Sequence, residues 1–277
     1  MYRYRVPATT ANLGIGFDCL GMALKLYDHF EIERSDKWIF EGFKEEYANT
    51  DNLFVRSYKK ACAYKKVKAV PLKVKMKADV PDSRGLGSSA CLSVGGIYAC
   101  HLVNNGCLNR EEMLKVATMI EGHPDNAAPA IYGGLCIVNG NTVLKSSVSA
   151  RWHFGLWIPA YAVKTSEARK VLKDSLPLKD AVGNISSALI AVDALKTFKT
   201  GNISLIMNDS IHEPYRRKLI RNWRKMKEYA LNRGALAFII SGSGSTCLSI
   251  SDRKLDIAFE GIDYLELKTD SEGVRNV

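Results

Sequence analysis

Four short polar segments hold the residue types that can do chemistry. The richest is Pro81-Asp82-Ser83-Arg84-Gly85-Leu86-Gly87-Ser88-Ser89-Ala90, where a strand runs into two glycines, two serines and an apolar helix. Glycines let the backbone approach a ligand closely, and a helix start offers unpaired N–H groups at the positive end of its dipole. A phosphate chain fits such a place. Ser88 or Ser89 can cap the helix or offer a hydroxyl to Mg²⁺, which takes oxygen ligands. The same residues also read as a plain helix N-cap after a tight turn. Gly85-x-Gly87-x-x-Ala90 fits a relaxed dinucleotide fingerprint, but that motif opens a regular βαβ unit, whereas three strands and a helix precede this one. No Gly-x-x-x-x-Gly-Lys-Ser/Thr run exists, which excludes a P-loop.

The second segment, Glu121-Gly122-His123-Pro124-Asp125-Asn126-Ala127-Ala128-Pro129, gathers two carboxylates, an imidazole and an amide at a helix end. A carboxylate can complete a Mg²⁺ shell or bind an ammonium group, and an imidazole can hold a hydroxyl. It also reads as a polar helix-breaking loop with Asp125 as an N-cap. The third, Ser241-Gly242-Ser243-Gly244-Ser245, is a hairpin turn or a second anion-binding nest. The fourth, Pro7 to Asp18, is a glycine-containing loop whose Asn12 and Asp18 face a ligand or shape the turn.

These segments need a scaffold. Tyr2–Val6 and Leu20–Glu33 read as strands, and Leu72, Val74, Met76, Ala78 and Val80 alternate with charged residues as a half-buried strand. Asn52–Tyr64 sets Leu53, Phe54, Tyr58, Ala61 and Cys62 on one helical face. A buried helix follows the glycines to about Val103, and Asn109 with Glu112 forms a capping box for a helix through Ile120. Asn139-Gly140-Asn141 marks a hairpin. Beyond it come a strand at Phe154–Val163, helices at Ser166–Leu172, Asp180–Phe198 and Glu213–Leu231, and strands at Leu236–Ile240 and Cys247–Ile250. Without a regular βαβ alternation, this is an α+β chain. A division near residue 150 is expected, giving halves 1–150 and 151–277.

The 277 residues include 47% hydrophobic and 25% charged side chains, which excludes a disordered or collagenous chain. No apolar run approaches the ~18 residues of a membrane span, and the N-terminus lacks a signal peptide's apolar core. Seven cysteines with no Cys-x-x-Cys pair point to reduced thiols in a cytoplasmic protein. The net charge of +10 fits nucleic acid, acidic lipid or a small anion equally well.

Taken in order, the four segments resemble the GHMP kinases over nearly the whole chain. Gly85-Leu86-Gly87-Ser88-Ser89-Ala90 marks that superfamily. Glu121 to Ala130 and His212-Glu213-Pro214-Tyr215-Arg216 look specifically like the homoserine kinases within it. The resemblance implies a GHMP fold of two mixed α/β subdomains with the active site between them. It implies Mg·ATP-dependent phosphorylation of the side-chain hydroxyl of L-homoserine, and a homodimer. Pro81 and Arg84 to Ala90, with Gly242 and Gly244, would surround the nucleotide phosphates. Ser89 and Glu121 would hold Mg²⁺, Asn52 would meet the base, and Thr165 would stand near the transferred phosphate. A zwitterionic amino acid needs a cation for its carboxylate and an anion for its ammonium. Arg169 and Arg216 supply the first, and Asp18 and Asp125, with Asn12 and His123, the second. Asp125 or Asn126 lies where some sister kinases carry a base. Ser245 stands where many relatives have proline, and Lys164 replaces the usual serine before Thr165.

Two readings compete. A GHMP kinase for mevalonate, shikimate or a sugar would leave the acid-and-arginine pattern without a purpose. A nucleic-acid-binding protein would use Lys59–Lys77 and Arg216–Lys227, but no RRM, KH or helix-turn-helix signature accompanies these basic runs. They read more simply as solvated faces over Leu219, Trp223 and Met226.

Overall fold

The computed structural model describes residues 1–277. β1 (Tyr2–Ala11) and β2 (Leu20–Arg34) form an antiparallel pair with an irregularity at Pro7/Ala8, where proline cannot donate to the ladder. β3 (Ile39–Glu41) was not evident in the sequence; it pairs in parallel with a later strand. α1 (Leu53–Tyr64) starts at Asn52, whose Oδ1 accepts the Val55 N–H at 2.8 Å, and buries Phe54, Tyr58, Ala61 and Cys62 as the spacing predicts. β4 (Leu72–Ala78) pairs with the second half of β2 and with β3.

α2 (Ser88–Val103) follows the glycine turn and crosses α1 closely: a Cβ at Gly96 would meet the Phe54 carbonyl oxygen at 2.1 Å. α3 (Arg110–Glu121) opens with the expected capping box between Asn109 and Glu112. α4 (Ala127–Tyr132) is a short helix inside what reads as a loop; its N-cap is Asn126, not Asp125. β5 (Leu135–Asn139) and β6 (Thr142–Ser146) form the hairpin, with β5 pairing the first half of β2.

The second sheet begins with β7 (His153–Pro159), which stops at Pro159 rather than running to Val163. α5 (Thr165–Lys170) and α6 (Leu178–Thr197) follow. The single basic helix expected over Glu213–Leu231 is broken. α7 (Glu213–Arg216) tightens into a 3₁₀ turn, and α8 (Trp223–Asn232) starts only after Asn222 takes a left-handed φ of 57°. α8 still buries Met226. β8 (Ala237–Ile240), β9 (Cys247–Ser251) and β10 (Ile262–Leu267) complete an antiparallel sheet ordered β10-β7-β9-β8. β11 (Arg275–Asn276) returns to the first sheet beside β1, whose main path is β11-β1-β2-β4-β3.

This is the expected α+β architecture. One core of 51 buried residues runs from Tyr4 and Phe30 through Val94 to Phe154, Ile239 and Leu248, joining both sheets. A smaller cluster centred on Trp157 and Phe238 lies beneath α8. No helix is long and apolar enough to cross a membrane.

Candidate active site

The glycine turn is tied down on every side by backbone. Thr9 N–H donates to the Leu86 carbonyl at 3.0 Å, Thr246 N–H to that of Arg84 at 3.1 Å, and Gly242 N–H to that of Ala11 at 3.1 Å. Ser241 Oγ donates to the Gly85 carbonyl at 2.7 Å. The end of β1, which runs through Pro7–Ala11 where the sequence reads as a loop, the glycine turn and the Ser241–Ser245 turn are therefore one knot. Gly85 sits at φ 76°, and a Cβ there would lie 2.3 Å from the Ser241 carbonyl oxygen. Gly85→Ala is expected to lower stability by about 3 kcal/mol, combining left-handed strain and overpacking, and to raise the KM for ATP. Denaturant melts and nucleotide titration check both effects.

Beside this knot opens a cavity of about 630 Å³, within the size range of small-molecule sites. Every proposed site residue lines it except Pro81, Leu86 and Gly244. Leu86 is fully buried in the core, so its side chain anchors the turn. The N-cap of α2 is Gly87 at φ 72°, and neither serine side chain caps the helix, leaving its first N–H groups facing the cavity. Ser89 Oγ instead donates to both carboxylate oxygens of Glu121 at 2.9 Å. This hydroxyl and carboxylate suit a hard, oxygen-seeking cation. No three His, Cys, Asp or Glu side chains converge as a metal site, so a cation here would draw its other oxygens from nucleotide and water.

The opposite part of the cavity is ionic. Arg169 forms a bidentate pair with Asp18 (Nη1–Oδ2 3.0 Å, Nη2–Oδ1 2.9 Å). The hydrogen bond to Asp18 chiefly raises the arginine's pKa. Arg216 is buried and donates Nε to the Ala168 carbonyl at 3.1 Å and Nη1 to that of Gly242 at 3.1 Å. Its Nη2 makes no hydrogen bond within the chain, which leaves it for a ligand. Burial, then the nearby Arg169 charge, lower its pKa to about 10, so it stays protonated at neutral pH. Asn12 donates to the Gly242 carbonyl at 2.9 Å and accepts the Asp18 N–H at 3.0 Å, shaping the loop while lining the cavity. Asp125 is buried, with Oδ1 2.6 Å from His123 Nδ1, and this contact is the main reason the His123 pKa is raised. Asn126 Oδ1 accepts from Thr9 Oγ at 2.8 Å. Thr165 Oγ lies 3.3 Å from Ser243 Oγ.

Several lining residues carry no sequence signal. Phe43, Lys44, Tyr47, Arg56 and Met76 share the cavity wall with Asn52, whose own amide is committed to capping α1 and to the Tyr47 carbonyl at 2.9 Å. Phe17, inside the loop of Asn12 and Asp18, places its ring 5.0 Å from the Arg216 guanidinium and 5.7 Å from that of Arg169.

Buried acids make the site's stability depend on pH. Burial pushes Asp28, which lines the cavity, up to about 7, and Glu213, which accepts the Ile240 N–H at 2.5 Å, up to about 8. Both bind protons more tightly folded than unfolded, so their stabilisation is full below the ordinary carboxyl range. It is lost as pH rises through about 7 and 8. His123, with its raised pKa, slopes the same way. Burial pulls His212 down to about 4, and it slopes oppositely, but only between about 4 and its ordinary 6.5. The Tm is therefore expected to fall from pH 6.5 to pH 8, and Glu213→Gln to flatten that fall in pH-resolved thermal melts.

Comparison with known proteins agrees with this geometry. Residues 52–134 match the family model for the GHMP kinases N terminal domain, and residues 191–260 that for the GHMP kinases C terminal. A homoserine kinase of Clostridium botulinum (strain 657) is 38% identical over 253 residues, covering 90% of this chain and 85% of the relative. One of Prochlorococcus marinus (strain MIT 9301) is 39% identical over 268 residues, covering 91% and 84%. The crystal structure of homoserine kinase from Cytophaga hutchinsonii matches with a TM-score of 0.88 at 27% identity, over 100% of this chain and 97% of that one. The knotted glycine turn, the cavity beside it and these likenesses place the chain in the homoserine kinase family of the GHMP kinases.

Proposed function

We infer that the chain transfers the γ-phosphoryl group of ATP to the side-chain hydroxyl of L-homoserine, giving O-phospho-L-homoserine and ADP, a step towards threonine. The observation that carries this reading is one cavity holding both an uncapped helix start behind a glycine turn and a buried arginine with an unused Nη2. The first suits a phosphate chain, and the second an amino-acid carboxylate. Mevalonate and shikimate also carry a carboxylate, but they have no ammonium group to set against the acids Asp18 and Asp125.

In this mechanism the backbone from Gly85 to Ala90 cradles the phosphates. Ser89 and Glu121 would hold Mg²⁺, which when bound neutralises charge on the phosphoryl group. Arg216 takes the homoserine carboxylate, with the Arg169–Asp18 pair beside it. Asp18 and Asp125, with Asn12 and His123, face the ammonium and the hydroxyl. Phosphoryl transfer depends mainly on alignment and charge neutralisation, so Asp125 orients the acceptor and no strong base is required. Asn126 holds the Thr9 side of the turn, and Thr165 stands near the transferred phosphate. Asn52, with Phe43 and Tyr47, borders the space for the base. The change of sheet between Ser146 and His153 supports halves dividing near residue 150. Seven free cysteines support a cytoplasmic setting. A homodimer completes the reading.

A coupled ADP-release assay with L-homoserine, mevalonate, shikimate and no acceptor tests it. Turnover is expected with homoserine alone; turnover with none of them would point to a binding role. Asp125→Ala should lower kcat/KM for homoserine, and an unchanged value removes the orienting role.

A further inference from the structure

α6 faces the core with Asn184, Ser187, Ala191, Ala194 and Leu195, but its outer side is not polar. Leu178, Val182, Ile185, Leu189 and Ile190 point outward, 79%, 57%, 62%, 70% and 41% exposed. The first four recur at steps of four, three and four, which aligns them in one stripe. From Ala181 to Val192 there is no charged residue at all. Neither helix propensity nor solubility calls for such a face, since exposed polar residues form helices equally well. The five side chains expose roughly 500 Å², a patch of the size that marks an interaction surface.

We propose that this stripe is the seam of the homodimer, with α6 of two copies crossing antiparallel about a two-fold axis at Gly183–Asn184. The proposal rests on the homodimer of the reading above. The order of residues is what selects a second copy as occupant. Leu178 and Leu189 are equally far from the midpoint between Gly183 and Asn184, and so are Val182 and Ile185. Antiparallel pairing therefore sets Leu178 against Leu189 of the second copy and Val182 against its Ile185. Every stripe residue meets an apolar partner, as an isologous interface requires. A parallel seam would instead bring Lys179 toward Lys179 and Asp193 toward Asp193 along its rim, and would align the two helix dipoles.

The apolar stripe with a rim of Lys179, Ser186 and Asp193 reaches toward the ~800 Å² per partner of a stable interface. On its inner side α6 touches the substrate loop, because Asn184 Nδ2 donates to the Ile15 carbonyl at 2.8 Å. The seam thus braces the loop that carries Asn12 and Asp18.

Light scattering and cysteine cross-linking of the full chain test the seam. Wild type should have about twice the 30.7 kDa chain mass. Leu189→Asp, at an exposed position, should weaken the dimer at least about a hundredfold while leaving the Tm of the monomer measurable. Ile185→Cys, the stripe position beside the two-fold axis, treated with diamide, should give a covalent dimer on a non-reducing gel, since a disulfide needs Cα atoms within about 7 Å. Lys196→Cys, near the end of the same helix, and wild type should not. A wild-type dimer that survives Leu189→Asp and leaves Ile185→Cys uncrosslinked overturns the seam but leaves the homodimer standing. A wild-type mass of 30.7 kDa overturns both, and homoserine turnover, assayed separately, still reports on the catalytic reading.

Discussion

Replacing Arg216 with methionine is expected to lower kcat/KM for L-homoserine by about a thousandfold while changing the KM for ATP less than about threefold. The guanidinium is buried, so it works in low dielectric, where losing one partner of a charge pair costs several kcal/mol. Two of its nitrogens are held by the Ala168 and Gly242 carbonyls, which fixes the remaining one. Methionine keeps most of the volume but removes the donors, leaving those carbonyls unpaired at a cost of about 1–3 kcal/mol in stability. Thermal melts of the variant must therefore accompany its kinetics. Arg216→Lys retains the charge but not the planar fork, and should recover only part of the loss. A fall below tenfold with an unchanged Tm would remove Arg216 as the carboxylate partner.

Glu121→Ala is expected to reduce kcat by about a hundred- to a thousandfold, with little effect on the KM for homoserine. Glu121 ends α3 and is only partly buried, and its side-chain partner is Ser89, so the fold does not depend on it. Removing it should also weaken the dependence of nucleotide affinity on Mg²⁺, read by titration calorimetry at several Mg²⁺ concentrations. Raising Mg²⁺ should partly restore kcat. If nucleotide affinity keeps the wild-type Mg²⁺ dependence, Glu121 has no part in holding the cation.

Local signals in this chain were accurate because their causes are local. The Asn109–Glu112 capping box, the Asn52 cap and the Asn139–Asn141 hairpin each depend on residues a few positions apart, and each is present. Elements whose stability comes from distant partners were not legible. β11 is two residues long and exists because Tyr4 and Arg5 pair with it across nearly the whole chain. β10 carries only a weak alternation and is held against β7. The basic stretch from Glu213 to Leu231 has helical periodicity throughout, yet it does not form one straight helix. The chain turns at Asn222 instead.

The sequence by itself identified the four segments, their family resemblance and half of the residues lining the cavity, because the glycines, serines and paired charges are confined to short motifs. Tertiary structure alone decided what those side chains do toward one another. It brought Asp18 against Arg169 and Asn12 against Gly242 across separations of 151 and 230 residues, and set Phe43 and Tyr47 in the same cavity wall as Asn52. Of the two arginines proposed for the carboxylate, Arg169 is already paired and Arg216 keeps a nitrogen unused. That distinction depends on desolvation and on which carbonyls lie within reach, and neither is a property of spacing along the chain.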